Sequence, residues 1–577
     1  MRKHIHKISI LLIILATSVS WAQERDGDTL KTDVIHVVKP YTPTISDAFK
    51  VKEQPVIDDA ETNSKKEVEY NIFSFPVAST FTPAKGKAAL VDKEKPAKLY
   101  NNYASLGLGS YTSILADVYL SHALSKTDNI SGSINHHSSQ GGIDKALLDD
   151  KFYNTNLDLG FSRKERNLSW NVAGGFKHQM YNWYGLPQPY FDTSSPEANM
   201  DVNHTFYGGN LGGDIAFKDT YFKSASLMFR HFGDDYGSSE NRLKLKGSAD
   251  IPIADFEIST QVTIDYLAGS FERSYNINSE LKYGNFNIGL APTYRIVQDD
   301  LTLDLGVSLY YLNNIESGEN KFFVYPNIAA SYRVVDEVLI AYGGVKGGLI
   351  QNSYEGFAEE NKFVSPTLFV TPTDQQYHAY VGLKGKVSKN VSYNIKGAYY
   401  AEKDKSLFRN NERLLIAAEE NYQFGNSFGV VYDDVSTFNI GGEISVDMNQ
   451  NFTLGFKADY FAYNVDKQSE AWNLPSITGS LFMDYQIDQH WFAGASLFYV
   501  GEREDRVYSV TFPTVGFTNK TLDSYFDANA HVGYHVNDRL SVFAKANNIA
   551  SQDYQKWLNY PVQGIQILAG ATYKFDF

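Results

Sequence analysis

The residues of this chain that could do chemistry are few, and their spacing limits what they can do. His136 and His137 are adjacent, so in a strand they point to opposite faces and cannot chelate one ion together. Asp144, Asp149 and Asp150 cluster in one polar stretch, and Asp234 and Asp235 stand side by side in another. Acidic loop groups of that kind can hold calcium or bridging cations, although most such charges are simply solvated. His531 and His535 lie four residues apart, which in a strand puts both on one face as lining polar groups. No zinc-protease helix motif, phosphate-binding loop, dinucleotide glycine pattern, calcium-loop motif or nucleophile elbow is present. The absence of cysteine excludes disulfides, thiolate metal sites, a cysteine nucleophile and a lipid-modified N-terminal cysteine. The expectation is a protein that is not an enzyme and carries no metal or cofactor.

What must position these residues is a β architecture. The chain has 577 residues, 43% hydrophobic, 21% charged and 14% aromatic, with 40 Tyr, 37 Phe and 43 Gly. A mean hydropathy of −0.33 excludes a bundle of spanning helices, each of which needs about 20 nearly unbroken apolar residues. The net charge of −15 argues against a surface built to neutralise phosphates, so nucleic acid is not an expected partner.

The N-terminus reads as an export signal. Arg2, Lys3 and Lys7 form a basic region, Ile8 to Ala16 is apolar except for Ser9, and Ser20-Trp21-Ala22 offers small residues for cleavage before Gln23. Residues 1–22 are thus assigned as a signal peptide. Its removal takes three basic residues and no acidic one, leaving the remainder near −18.

Beyond the signal the chain alternates with period two. Leu301, Leu303, Leu305, Val307, Leu309 and Tyr311 fall on one face, and Thr302, Asp304, Gly306, Ser308 and Tyr310 on the other. Eleven residues is the length a tilted strand needs to cross a bilayer. Phe452–Ala462, Trp491–Tyr499, Phe526–Val536 and Leu540–Ala546 repeat the pattern. Aromatic residues begin or end many apolar faces, as expected where rings sit at the two water–lipid interfaces. The polar faces carry Asp, Lys, Asn and His in mid-strand, which a water-filled lumen accepts and a packed sandwich does not. The fold class that follows is all-β, a transmembrane antiparallel β-barrel over 99–577 with the lipid bilayer as its surroundings.

The turns count the strands. Short polar turns stand at Ser125–Asp128, Arg163–Asn167, Lys218–Thr220, Pro252–Asp255, Val297–Asp300, Val334–Glu337, Ser388–Asn390, Met448–Asn451, Ile487–His490 and Val536–Arg539. Longer stretches lie between them at 138–150, 184–200, 350–374, 402–425, 501–523 and 550–563. Ten turns and eleven hairpins give about 22 strands, with both ends of the chain on the periplasmic side. The segment 274–296 reads either as one strand or as two hinged at Gly284-Asn285; parity favours one. The closing strand alternates Ile565, Ile567, Ala569, Ala571, Tyr573, Phe575 and Phe577 against Gln566, Leu568, Gly570, Thr572, Lys574 and Asp576. Gly570 with Tyr573, Phe575 and the terminal Phe577 resembles the signal read by the outer-membrane barrel assembly machinery, which such a strand can join by edge addition.

Further residues in the last fifty carry a family resemblance. Tyr525-Phe526-Asp527, Asn537-Asp538-Arg539, Asn547-Asn548-Ile549, Asp553-Tyr554, Tyr560-Pro561, Gly564 and Gly570 to Phe575 together resemble the end of a TonB-dependent outer-membrane receptor. The resemblance implies a barrel of the cell outer membrane, uptake of a scarce nutrient, and TonB as the energy-supplying partner. These receptors carry a plug of well over a hundred residues ahead of the barrel, whereas Gln23 to Lys98 is only 76 residues. That stretch is charged over 50–70 and interrupted by Pro40, Pro43, Pro55, Pro76 and Pro83, so residues 23–98 read as an extended periplasmic or lumenal arm, partly disordered. Two pieces of it are more apolar, one of them Tyr70–Pro76. The other, Asp33, Val34, Ile35, His36, Val37 and Val38, is similar to the segment such receptors offer to TonB by strand addition; the alternative is a strand or clip against the rim or inside the barrel. Two functions are expected: nutrient import, or a plugless passive channel or accessory barrel of an envelope complex.

Overall fold

The computed structural model describes residues 99–577, apart from 188–190, 192–194, 196, 198–199, 255, 415–419, 450 and 510–515. Over them the alternating segments form one sheet of 22 strands that closes on itself. The strand Leu301–Asn314 shows how residue order builds the wall. Leu305 and Leu309 are 40% and 38% exposed on the outer face, whereas Ser308 on the opposite face is buried. Phe456 and Ile567 are likewise exposed outward while Asp459 and Thr572, one strand face away, are buried. Large apolar side chains exposed on strand after strand make a belt far larger than a water-facing surface carries, and lipid is the solvent that suits it.

All ten short turns fall where the polar clusters stand, each now two to four residues long. Asp219, Asp299 and Asp336 adopt φ of 59°, 51° and 38° in three of them. Asp tolerates that left-handed conformation better than branched or bulky residues, which is why these turns are rich in it. The segment 274–296 yields a single strand, Leu281–Gln298, after a short loop. Gly284 and Asn285 lie inside it with no hinge, Asn285 pairing with Leu267 on one side and Asn314 on the other.

The barrel is closed by its two ends. Asn102–Gly109 pairs antiparallel with Gln566–Phe575, in register from Asn102 opposite Phe575 to Gly109 opposite Leu568. The Asn101 N–H donates to Asp576 Oδ1 at 2.9 Å and the Thr572 hydroxyl to Ser105 Oγ at 2.9 Å, so side chains reinforce the seam. Closure removes the unpaired edges that would otherwise invite aggregation.

Two of the stretches read as loops are partly strand. Val391–Asn410 runs on past the start of the 402–425 stretch, shifting register between Glu402 and Lys405 and pairing on with Phe428–Asn449. The 501–523 stretch holds a hairpin of its own, Arg503–Ser509 with Gly516–Leu522. Lys, Asp, Glu and Arg crowd both stretches, and these charges hide the strands from a period-two reading. The signal segment 1–22, the arm 23–98, and within it Asp33–Val38 and Tyr70–Pro76, lie outside the described residues.

Candidate functional site

At the end opposite the short turns, the long connections fold together into a dry core at the barrel mouth. Trp183 is fully buried there, stacked on His204 at 4.2 Å and set against Tyr236 and Tyr422 at 5.2 and 5.3 Å. Its indole N–H donates to the Phe363 carbonyl at 3.2 Å. Phe363 in turn stacks on Tyr560 at 3.7 Å, and the Tyr560 hydroxyl donates to the Asn426 carbonyl at 2.5 Å. Connections distant in sequence are thereby tied through large aromatic rings, whose burial supplies area and whose polar edges find backbone partners.

The connection 351–372 packs against the inner face of the wall. It carries the one α-helix among the described residues, α1, Tyr354–Glu360. Ser353 caps it, its Oγ accepting the Gly356 N–H at 3.1 Å, and Glu355 in the first turn suits the positive end of the helix. Seven residues cannot hold a helix in water, so packing must do so. The Tyr354 ring lies 4.9 Å from Phe271 and 5.3 Å from Phe232, both on the inner faces of wall strands, and Phe357 meets Phe408 at 5.9 Å.

Polar groups on the wall match the helix atom by atom. The Tyr354 hydroxyl donates to Asp234 Oδ2 at 2.5 Å, and the Tyr354 N–H to Glu240 Oε2 at 2.6 Å. Asp234 also accepts the N–H groups of Tyr236 and Ser238, each at 2.9 Å, and lies 3.2 Å from His204 Nε2. Glu355 pairs with Lys177 at 2.9 Å and with Arg230 at 2.5 Å, and Arg230 reaches on to Glu240 at 3.1 Å. Glu359 shares Lys177 at 2.5 Å. Burial works to raise the Glu359 carboxyl, but the Lys177 ammonium overrides it and holds the group below its ordinary range. Next along the chain Lys362, which donates to Gln179 Oε1 at 3.2 Å, is pushed down to about 8, first by burial and then by Lys177. This arrangement holds a segment in place.

The residues singled out from sequence are scattered. His136 bonds Thr155 and Ser138 at 2.8 and 3.0 Å, while His137 packs edge-on against Phe152 at 5.1 Å. His535 meets Ser541 Oγ at 2.7 Å, and Val532 on the other face of its strand is exposed. Asp149 pairs with Lys151 at 2.6 Å, and Asp150 accepts the Ile143 N–H at 2.6 Å. Asp234 is not a solvated loop charge: the aromatic groups around it exclude water, and its partners replace that water. Of the closing-strand residues, Tyr573 is outward and stacked with Phe575 at 6.0 Å, and Phe577 is exposed beyond them. Gly570 sits opposite Gly107 in the seam. The Asp234, Glu240, Arg230, Glu355 and Tyr354 set escapes sequence reasoning, because two wall strands and a helix more than a hundred residues further along the chain bring it together. Ser353 ahead of Glu355 was the local trace of the helix.

At the short-turn end a cleft of about 990 Å³ opens among Arg333, Glu337, Lys384, Lys386, Tyr393 and Glu443. Its charges are mixed and single out no ligand.

Comparisons with known proteins agree with this architecture. The family described as TonB dependent receptor-like, beta-barrel, matches residues 95–549. No curated protein matches the chain in sequence. Among solved structures, the pyoverdine outer membrane receptor FpvA from Pseudomonas aeruginosa is similar at TM-score 0.61 and 12% identity, over 84% of this chain and 80% of that one. A ferric enterobactin receptor (PfeA) mutant from the same organism gives 0.58 and 12%, over 82% and 80%. The ferric-catecholate import receptor Fiu from E. coli K12 gives 0.57 and 12%, over 84% and 82%. A family match across most of the chain, on a closed 22-strand wall, settles the assignment: this chain belongs to the TonB-dependent receptor-like β-barrel family of the outer membrane.

Proposed function

We propose that this barrel imports a nutrient across the outer membrane, with TonB supplying the energy. The observation that carries the reading is the family match over 95–549 on a closed barrel whose outer mouth is built from interlocked loops. Signal cleavage near Ala22 exports the chain, and Asp33–Val38 is the segment offered to TonB as an added strand. Transport, not catalysis, is the activity. Iron chelates come first among substrates to test, because the similar structures are named as receptors for pyoverdine, enterobactin and ferric catecholates. Metal-bearing cofactors and oligosaccharides follow.

The second reading is a passive channel or an accessory barrel of an envelope complex. Growth of a strain lacking the protein, on each limiting nutrient in turn, separates the two. Import predicts a growth defect on one nutrient, rescued by the intact chain but not by Ile35→Pro, which cannot add as a strand. Equal rescue by both would remove TonB coupling through that segment, and no defect on any nutrient would remove the import reading.

A further inference from the structure

A segment packed inside the barrel mouth belongs to the barrel itself. Connection 351–372 leaves the wall between the neighbouring strands Leu339–Ile350 and Thr373–Ser388. It does not stay beside them. Helix α1 lies against the inner faces of Asn203–Phe217, Phe222–Asp234 and Phe256–Phe271 through Phe206, Phe232 and Phe271, several strands away round the barrel. The returning half then docks elsewhere: the Ser365 N–H donates to the Phe428 carbonyl at 2.8 Å, and the Phe428 N–H to the Phe363 carbonyl at 3.0 Å. The connection is thus a strap, anchored at the wall it leaves, at the arc it reaches, and at Phe428–Asn449.

Besides the hydrogen bonds from Tyr354 to Asp234 and Glu240, two kinds of contact hold the strap. One is the apolar seat of Tyr354 and Phe357. The other is ionic, and it is concentrated on a single turn of helix, where Glu355 and Glu359 meet the wall's Lys177 and Arg230. Such a half-buried ionic cluster favours one docked geometry over alternatives, and breaking it from one side leaves uncompensated charge on the other. A joint of that kind has two states, docked or released, with little between.

We propose that connection 351–372 is an internal gate, a strap that blocks the outer half of the lumen when Glu355 and Glu359 are paired with Lys177 and Arg230 and opens it when they part. The barrel then closes with a part of its own wall, whatever else enters the lumen from the N-terminal side.

The test uses the full-length protein in planar bilayers, together with a single cysteine introduced as Ala358→Cys. The natural chain has no cysteine and Ala358 is buried in the docked strap, so labelling by an externally added maleimide-polymer reports undocking alone. Conductance and labelling are measured with the paired carboxylates intact, in Glu355→Ala/Glu359→Ala, and in the isosteric Glu355→Gln/Glu359→Gln, which keeps shape should the alanine pair fail to fold. The expected result is a low conductance and slow labelling with the carboxylates intact, and in either double variant a several-fold larger conductance with labelling at least tenfold faster. Fast labelling without a rise in conductance would overturn the proposal, since the strap would then not be the barrier. Unchanged labelling in a folded variant would overturn it equally, since the ion pairs would then not be the latch. A large conductance before any substitution would do the same.

Discussion

The Tyr354 hydroxyl donates to Asp234 Oδ2 at 2.5 Å, joining the inserted helix to a wall strand inside a site from which water is excluded. Asp234 retains His204, Tyr236 and Ser238 as partners when that bond is lost, so Tyr354→Phe removes one charge-assisted bond and keeps the ring. The expected cost is about 1–3 kcal/mol of strap docking. Tyr354→Ala also empties the space against Phe232 and Phe271, for a cost of about 3–5 kcal/mol. Hydrogen exchange at the Phe357 amide, which bonds the Ser353 carbonyl at 3.0 Å, reads both. Equal protection in Tyr354→Phe and the unaltered chain would show that the hydroxyl carries nothing.

Gly570 makes a second prediction, at the seam. A Cβ there would stand 2.2 Å from the Leu106 carbonyl oxygen and 2.6 Å from the Phe543 ring. The first contact is backbone of the opposing strand and cannot swing aside. Gly570→Ala should therefore strain the pairing of Asn102–Gly109 with Gln566–Phe575 and lower the temperature at which the detergent-folded barrel loses its compact gel mobility. Gly397, whose Cβ would meet only one atom, at 3.9 Å, serves as control, and Gly397→Ala should change that temperature little.

The wall was legible in the sequence and the mouth was not, for a physical reason that particular residues show. Leu305 and Ser308 declare their faces locally, because in a strand two neighbours suffice to reveal an inside and an outside. The turns at Asp219, Asp299 and Asp336 declare themselves by conformational tolerance, which is also local. The mouth is assembled by contacts between residues far apart in the chain, such as Tyr354 with Asp234 and Tyr560 with Asn426. Nothing near Asp234 in sequence distinguishes it from the exposed Asp235 beside it. The helix α1 is likewise too short for its period to stand out, and Gly356 within it lowers the local preference further.

The terminal aromatic residues make a prediction about assembly rather than stability. Tyr573 and Phe577 are exposed, and Phe577 lies beyond the paired part of the last strand, so removing its ring sacrifices little packing in the finished barrel. Deletion of Phe577 should reduce the folded protein recovered from outer membranes several-fold while leaving refolding of the purified chain into detergent unchanged. A matching loss in both would mean that the ring stabilises the barrel and is not a recognition signal.

Asp505 gives a pH dependence whose direction is set by its burial. It lies in the hairpin strand Arg503–Ser509 outside the barrel wall, with no exposed surface. It accepts the Asn410 N–H at 3.0 Å, the Arg506 N–H at 2.7 Å and Asn473 Nδ2 at 2.9 Å, bonds that favour its anion. Burial outweighs them and pushes the carboxyl up to about 6. The folded hairpin therefore holds a proton that the opened one releases, and the stabilisation is complete below the ordinary carboxyl range and lost as pH rises through 6. Protection of the Asn410 amide against exchange, corrected for its intrinsic rate, should fall about tenfold between pH 5 and pH 7. Asp505→Asn, which cannot ionise, should flatten that profile. A tenfold fall surviving in Asp505→Asn would place the titrating group elsewhere in the mouth.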